Sequence, residues 1–418
     1  MQKLFTEFTS TTAAQWKEQL VKDLKGIDYN TLVWKTNSGI DVQPFYTKEN
    51  LTVVPSPIFT KSDWAICENI FVSDEKTANT QSLNALKNGA TGLVFHITQK
   101  TNFVILLNDI LLEHIYALFI VKPEFEKELS TFLNSIPKGD SCFIECDTVL
   151  LGAIELQNSS IICINTNLYQ ESGTNTTNEL AFSLAHLNEY LTINSSINTI
   201  HINLSVGGDF FMEIAKLRAL RKLIQFLLNQ YNSKATLHIH AQTTLINKSH
   251  IDSYTNMLRS TTEAMSASIG GANSILVLPF DVEFNSQNDF SSRMARNQQL
   301  ILKDESYLNV VADISAGSYY IETITETLCE KAWEEFKMIE AKGGLMACLK
   351  TNYIQDIIAK DAETLIQQFK DGKLVLVGVN KFQNKNEEVK NVKRNNTIHP
   401  SGIKTINLSE SLEQHLAN

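Results

Sequence analysis

His238 and His240 stand one residue apart in the segment TLHIHAQ (residues 236–242). Side chains alternate along a strand, so both histidines lie on the same face of a strand formed by this segment. A metal site would need a third ligand, and the sequence contains neither an HExxH motif nor a cysteine and histidine cluster. His240 and Gln242 are therefore candidate binding residues near the carboxyl end of their strand.

Arg293 and Arg296 form a second candidate pair in RMARNQQ (293–299). A spacing of three residues places both on one face of a helix. They could bind a phosphate or pyrophosphate, or they could bond to adjacent acidic residues or to another chain. The sequence alone does not separate these possibilities.

Two glycine motifs mark turns rather than a nucleotide site. VGGD (206–209) opens a long helix, where backbone amides could hold an anion, but it is not GxGxxG and Asp209 is predicted to cap the helix. IGGANS (269–274) is an ordinary helix end. The sequence also lacks a P-loop, a GxSxG motif and a cysteine–histidine nucleophile pair, so its motifs define no reaction.

Composition indicates a globular protein. The chain has 418 residues, is 43% hydrophobic and carries a formal net charge of -10, which disfavours nucleic acids and anionic membranes as partners. We find neither a secretory signal nor an apolar run approaching the length of a membrane span. Six scattered cysteines are expected to be reduced, which predicts a cytoplasmic setting.

Strands and helices alternate between about residues 60 and 350. The predicted strands are GLVFHI (92–97), CFIEC (142–146), SIICINT (160–166), TIHINLSV (199–206), TLHIHAQ (236–242) and SILVLPF (274–280), with weaker candidates at 104–108 and 307–313. Such strand–helix repeats predict a parallel sheet. About eight strands favour a (β/α)₈ barrel, with a doubly wound open sheet as the alternative.

Three regions follow from this pattern. Residues 1–47 are predicted to form an arm with an amphipathic helix followed by an extended stretch. Residues 48–380 form the predicted barrel, ending in a strand at LVLVGVN (374–380). Residues 381–418 are predicted to be a polar tail that is solvated or orders on a partner.

Several segments resemble the acyl-CoA mutases that use adenosylcobalamin. GSYYIETITETLCEKAWEEF (317–336) is similar to their GSYYVE…LT…AW run, and DFSSRMARNQQLILKDES (289–306) and MLRSTTEAMSASIGGANSI (257–275) also match. The matches run in order from about residue 15 to 380. The chain is thus identified as a member of the methylmalonyl-CoA mutase family, most similar to its small subunits.

The resemblance implies a barrel whose axis admits the pantetheine arm of a CoA ester. It also implies a separate flavodoxin-like domain that binds cobalamin through a DxHxxG motif, which this sequence lacks. The cofactor supplies the radical chemistry of the isomerase. We therefore expect this chain to bind no cofactor itself, with adenosylcobalamin and the acyl-CoA substrate on a partner.

The chain departs from the catalytic pattern at four positions. INTNLYQESG (164–173) resembles ISGYHMQEAG, which places Leu168 at the family's catalytic histidine and Asn167 at the tyrosine before it, while Gln170 is retained. WAICEN (64–69) resembles WTIRQY, which places Cys67 at its arginine and Asn69 at its tyrosine. Leucine cannot donate a hydrogen bond to a thioester carbonyl. No catalytic or metal-binding residue is therefore predicted, and Gln170, His240, Gln242 and Arg293 are the candidate substrate-like residues.

Three functions fit these observations. The first is the non-catalytic small subunit of a heterodimeric methylmalonyl-CoA mutase that stabilises a catalytic large subunit. The second is an active substrate-binding barrel that receives cobalamin on a separate chain. The third is a CoA-ester-binding or scaffold module without catalysis.

Overall fold

A computed structural model describes residue 7 and residues 9–51, 54–60, 63–146, 161–194, 196–285, 288–384 and 398–417. No helix in these ranges is long and apolar enough to cross a membrane. The arm contains a short antiparallel pair of strands, β1 (Trp34–Lys35) and β2 (Asp41–Val42). The remaining strands form one sheet of eight.

The eight-stranded sheet is parallel and forms a nearly closed barrel. Its strands are β3 (Ala65–Phe71), β4 (Gly92–Ile97), β5 (Tyr116–Val121), β6 (Cys142–Glu145), β7 (Ile161–Asn165), β8 (Thr199–Val206), β9 (Thr236–Thr243) and β10 (Ser274–Leu276). Their order around the barrel is β6-β5-β4-β3-β10-β9-β8-β7. Asn165 at the end of β7 donates to Glu145 at the end of β6 over 2.8 Å, so the two edge strands approach each other. The predicted barrel is confirmed.

Helices flank the barrel, and several of them pack against its outer face. They are α1 (Ala13–Asp23), α2 (Glu75–Lys87), α3 (Phe103–Leu106), α4 (Pro123–Leu133), α5 (Asn167–Glu171), α6 (Thr176–Ile193), α7 (Phe210–Gln230), α8 (Thr255–Ile269), α9 (Asp289–Leu300), α10 (Tyr319–Ala341), α11 (Gly344–Lys350), α12 (Tyr353–Lys370) and α13 (Glu410–Ala417). Asp209 caps α7 as predicted, because its carboxylate accepts from the Met212 amide. The VGGD motif is therefore a structural turn.

Buried ion pairs join the central helices to each other. Lys216 on α7 contacts Glu179 of α6 at 3.0 Å and Glu213 at 2.6 Å. Arg218, on the same helix, pairs with Asp313 and Glu322 and has no exposed surface. Removing one partner from such a pair would leave an uncompensated buried charge. These contacts fix α6, α7 and α10 relative to one another.

Three predicted strands are wrong. Residues 104–108 fall on the end of α3 and the turn after it, because Asn102 caps a helix there, accepting from the Val104 and Ile105 amides. Residues 307–313 form turns anchored by the buried Asp313 carboxylate, which accepts from the Ile58 amide at 2.8 Å. Residues 374–380 form a turn in which the Asn380 side chain bonds to Leu374 and Leu376. The places of the missing barrel strands are taken by β3 and β5, which the sequence analysis did not predict.

The last described segment lies across the carboxyl-terminal face of the barrel. The Ile406 amide donates to the Glu171 carbonyl, and the Leu408 amide donates to the Ile246 carbonyl, both over 2.9 Å. Glu413 is buried and accepts from Ser249 at 2.7 Å. This part of the predicted polar tail is thus packed on the barrel. Residues 385–397 of that tail lie outside the described ranges.

Candidate functional site

Five rings fill the bore of the barrel. Strand alternation points Tyr116 of β5, Phe143 of β6, His201 of β8, and His238 and His240 of β9 inward. Tyr116 stacks on His238 with ring centroids 5.1 Å apart and on His240 at 5.4 Å, and Phe143 lies 4.4 Å from His201. All five rings are buried or half-buried. We call these five residues the bore plug.

Hydrogen bonds hold the bore plug in place. The Tyr116 hydroxyl lies 2.9 Å from His201 Nε2. Ser274 Oγ, at the start of β10, lies 3.0 Å from His238 Nε2 and 2.8 Å from His240 Nδ1. One serine hydroxyl therefore joins both histidines of the HIH segment. The bonds fix the rings across the axis of the barrel.

The histidines of the bore plug are uncharged at neutral pH. Burial lowers the pKa of His238 and of His240 to about 3. Burial also lowers the pKa of His201, and the neighbouring histidines lower it further. Within the described ranges, no group of three or more histidine, cysteine or acidic side chains could hold a metal ion. The plug is thus a neutral packing unit.

A polar layer lies above the plug at the carboxyl ends of the strands. Glu145 is 2% exposed and accepts from Asn165 Nδ2 at 2.8 Å and Asn203 Nδ2 at 3.1 Å. Burial raises the pKa of Glu145 to about 7, although the two amide bonds oppose that shift. At neutral pH this carboxyl group therefore stands near its titration midpoint.

Leu168 is a packing residue. It lies on α5, directly after β7, and packs against the main hydrophobic core. Gln170 donates to Glu213 over 3.1 Å. Glu171 accepts from Ser205 Oγ at 2.8 Å and Thr244 Oγ1 at 2.9 Å, which ties α5 to the ends of β8 and β9. The polar neighbours of Leu168 therefore bond to the scaffold.

Cys67 and Asn69 both face the bore on β3. Cys67 is buried, and burial raises the pKa of its thiol well above the usual value. A side chain at Gly92 on the neighbouring strand would come within 2.7 Å of Cys67 Sγ, so the two strands are tightly packed here. Asn69 Oδ1 lies 2.9 Å from His96 Nε2. Neither residue supplies a charge to the bore.

The other candidate residues do not converge. His240 lies within the bore plug rather than at the mouth, whereas Gln242 is half-buried at the end of β9. Arg293 is exposed on α9. Arg296, three residues later, is buried and pairs with Glu68 of β3. The two arginines thus have different surroundings, and the predicted pair is not one anion site.

Most residues of the bore plug are not among the candidates that the sequence suggests. Tyr116 lies on β5, which is not a predicted strand, and Phe143 and His201 lie within predicted strands without a motif that marks them. The available signal was the alternation itself, since the HIH segment and HIN (201–203) both place histidines inward.

Comparison with known proteins is consistent with this fold. A family profile described as "Methylmalonyl-CoA mutase" matches residues 132–412. A "Methylmalonyl-CoA mutase small subunit" from Porphyromonas gingivalis is 32% identical over 92% of this chain and 71% of its own length. A "Methylmalonyl-CoA mutase" from Rhizobium meliloti is 34% identical over 60% of this chain and 37% of its own length. A small subunit from Streptomyces virginiae is 30% identical over 59% of this chain and 42% of its own length. The chain belongs to the methylmalonyl-CoA mutase family.

Proposed function

We propose that this chain is the non-catalytic small subunit of a heterodimeric, adenosylcobalamin-dependent methylmalonyl-CoA mutase. The complex would interconvert methylmalonyl-CoA and succinyl-CoA in the cytoplasm, with substrate and cofactor on a catalytic large subunit. The observation that carries the proposal is the bore plug, because stacked rings occupy the axis along which a CoA ester would thread. Leu168 and Cys67, at positions where the resemblance implies catalytic side chains, support it.

The mouth of the bore at the amino-terminal ends of the strands is also unsuited to a CoA ester. A cavity of about 350 Å³ at the amino-terminal ends of the strands has Tyr116 and His238 in its lining. The same lining contains three carboxylates, from Asp63, Glu113 and Asp140, and one lysine, Lys303, which pairs with Asp63. The lining therefore carries more negative than positive charge, which would repel the phosphates of CoA at close range. This chemistry favours a barrel that takes no CoA ester.

The residues of the bore do not fit adenosylcobalamin. The histidines of the bore plug are packed against other rings, and the sequence lacks DxHxxG. We therefore assign no step of a reaction to this chain. Its proposed contribution is to stabilise the partner that carries the chemistry.

The amino-terminal arm is the surface that we propose contacts the large subunit. Helix α1 buries none of its residues within the chain. Ile27, Trp34 and Phe45 are 60%, 49% and 51% exposed. An amphipathic helix gains stability chiefly by burying its apolar face. An obligate partner would provide the covering surface.

Two other functions are less well supported. An active barrel that borrows cobalamin from a separate chain needs an open bore and a hydrogen-bond donor near the thioester. A CoA-ester-binding module also needs the open bore. The bore plug counts against both.

The proposal is tested by a mutase assay with adenosylcobalamin on three samples: this chain, its candidate large partner, and the two copurified. We expect activity only where the large partner is present. Replacing Asn165, Asn203 or Gln242 by alanine should leave the turnover of the copurified complex unchanged. Activity of this chain supplied only with a cobalamin-carrying protein would contradict the proposal, as would a chain that does not associate with the large partner.

A further inference from the structure

A cavity of about 240 Å³ lies beside the mouth of the barrel. Strand β3, the loop that follows β10 and helix α9 form its walls. Taking about 30 Å³ for each molecule of liquid water, this space equals about eight water molecules. It is therefore suited to a metabolite smaller than most drug-sized ligands.

The lining of the cavity includes two adjacent opposite charges. Arg296 on α9 donates from Nη1 to Glu68 Oε2 of β3. Their side chains are 7% and 14% exposed, so both charges are largely shielded from water. Within the described part of the chain, this is the one hydrogen bond that Arg296 donates. A guanidinium group has five donor hydrogens, so Arg296 retains bonding capacity.

The rest of the lining is mixed: Asn69, Asp281, Asn285 and Ser292 are polar, and the other side chains form an apolar surface. Val277 and Pro279 follow β10, Val282 lies in the next turn, and Ala295 faces them from α9. Val277 is 2% exposed and Ala295 is 6% exposed. Branched aliphatic groups pack well against such a surface.

We infer that this cavity binds a small aliphatic amino acid as its zwitterion. Its carboxylate would accept from Arg296, and its ammonium group would donate to Glu68. The charges of an amino acid are adjacent, as are those of the Arg296–Glu68 pair, so head group and pair are complementary. The aliphatic side chain would lie against Val277, Pro279 and Val282. Valine and leucine, with about eight or nine non-hydrogen atoms, match the volume.

A ligand with a single charge fits this site less well. A simple carboxylate would compete with Glu68 for Arg296 and bring two negative charges together. A simple amine would compete with Arg296 for Glu68 and bring two positive charges together. Like charges in a shielded site repel more strongly than they do in water. Discrimination between the zwitterion and its singly charged analogues therefore distinguishes this site from a general apolar cavity.

The test is titration calorimetry of the full-length chain with L-leucine and L-valine. Isovalerate and isobutylamine are the singly charged analogues. We expect saturable binding of at least one amino acid and binding of both analogues weaker by about tenfold or more. If isovalerate or isobutylamine binds as tightly as leucine, the assignment of a zwitterionic ligand is overturned. If no probe gives heat, the assignment of a binding site to this cavity is overturned.

Variants on the same helix provide a matched control. The double substitution Glu68→Gln with Arg296→Gln removes both charges together and leaves no unpaired ion. It should weaken leucine binding by about tenfold or more, whereas Arg293→Gln, at an exposed position, should not change it. Ala295→Phe should abolish binding by filling the cavity. Thermal melting establishes that each variant is folded, and unchanged leucine binding in the folded double variant would overturn the assignment. These readouts require no large partner, so they can fail independently of the proposed mutase role.

Discussion

Leu168 lies on α5 and packs against the main hydrophobic core, at the position where the resemblance to the acyl-CoA mutases implies a catalytic histidine. Its neighbours Gln170 and Glu171 bond to Glu213, Ser205 and Thr244. The helix that would carry a catalytic donor is thus retained as scaffold.

Restoring the histidine alone should not restore chemistry. We predict that Leu168→His gives no mutase activity in a complex whose large subunit lacks its own catalytic histidine, because the bore plug still fills the axis. The measurement is turnover with adenosylcobalamin. The intact large subunit paired with the same variant is the positive control. Any turnover dependent on Leu168→His would show that a CoA ester can enter this barrel.

Glu145 is predicted to make stability depend on pH. Its pKa is about 7 in the folded chain, against an ordinary value of 4.5. The folded state therefore binds more protons than the unfolded state between these values, so the free energy of unfolding falls as pH rises through this window. The full shift corresponds to about 3 kcal/mol, which is lost once the pH exceeds the folded pKa.

Glu145→Gln should remove this dependence. A glutamine resembles the protonated acid, so the variant should gain stability relative to the parent chain as pH rises from about 5 to about 8. Denaturant unfolding at several pH values measures the difference. Glu128→Gln, at an exposed position of α4, should leave the parent's pH dependence in place. Parallel pH profiles for the parent chain and Glu145→Gln would contradict the assignment.

At the scale of elements, periodicity predicted some strands and missed others for identifiable reasons. β8 (TIHINLSV) and β9 (TLHIHAQT) alternate polar and aliphatic residues, and this pattern predicts both strands almost to the residue. Residues 307–313 contain two valines, which favour a strand. They form turns instead, because the buried Asp313 carboxylate bonds to Arg218 and to the Ile58 amide. These partners are distant in sequence, so local pattern does not contain them. The bore plug was equally hidden, since it depends on register between strands.

Residues 1–33 of the amino-terminal arm should be dispensable for the fold of the barrel, whereas residues 34–42 should not. Deleting residues 1–33 removes α1, which buries no residue, so the melting temperature should change little. Deleting residues 1–42 also removes Ile40 and Val42, which are 4% and 6% exposed, and should destabilise the chain by about 3 kcal/mol or more. Thermal melting of both truncations makes the comparison. Equal destabilisation by the two would show that α1 packs on the barrel.

The carboxyl-terminal segment should stabilise the barrel through one buried carboxylate. Glu413 accepts from Ser249 and Ser409, each at 2.7 Å, and lies 3.1 Å from His250 Nδ1. Glu413→Ala leaves these buried groups without that acceptor and should cost about 1–3 kcal/mol. Hydrogen exchange at residues 245–250 should rise in this variant. It should not rise in Gln414→Ala, at the exposed neighbouring position. Unchanged exchange in Glu413→Ala would show that the segment does not hold the loop after β9.

For the whole molecule, the barrel combines a well-ordered interior with an uncovered apolar arm. The strands, the bore plug and the buried ion pairs of α7 all make their contacts within the chain. The side chains of Ile27, Trp34 and Phe45 in the arm remain exposed to solvent. Such a division is expected of a subunit whose fold is complete and whose surface is completed by association.

This division predicts that the large subunit raises the melting temperature of the chain. A partner that binds only the folded state stabilises it in proportion to the logarithm of its free concentration over its dissociation constant. A large subunit without its catalytic histidine should therefore raise the melting temperature progressively as its concentration increases. The chain lacking residues 1–33 should show a smaller rise, because the proposed contact surface is gone. Equal rises in melting temperature for both chains would indicate that the large subunit contacts the barrel helices rather than the arm. No rise for either chain would contradict the heterodimer itself.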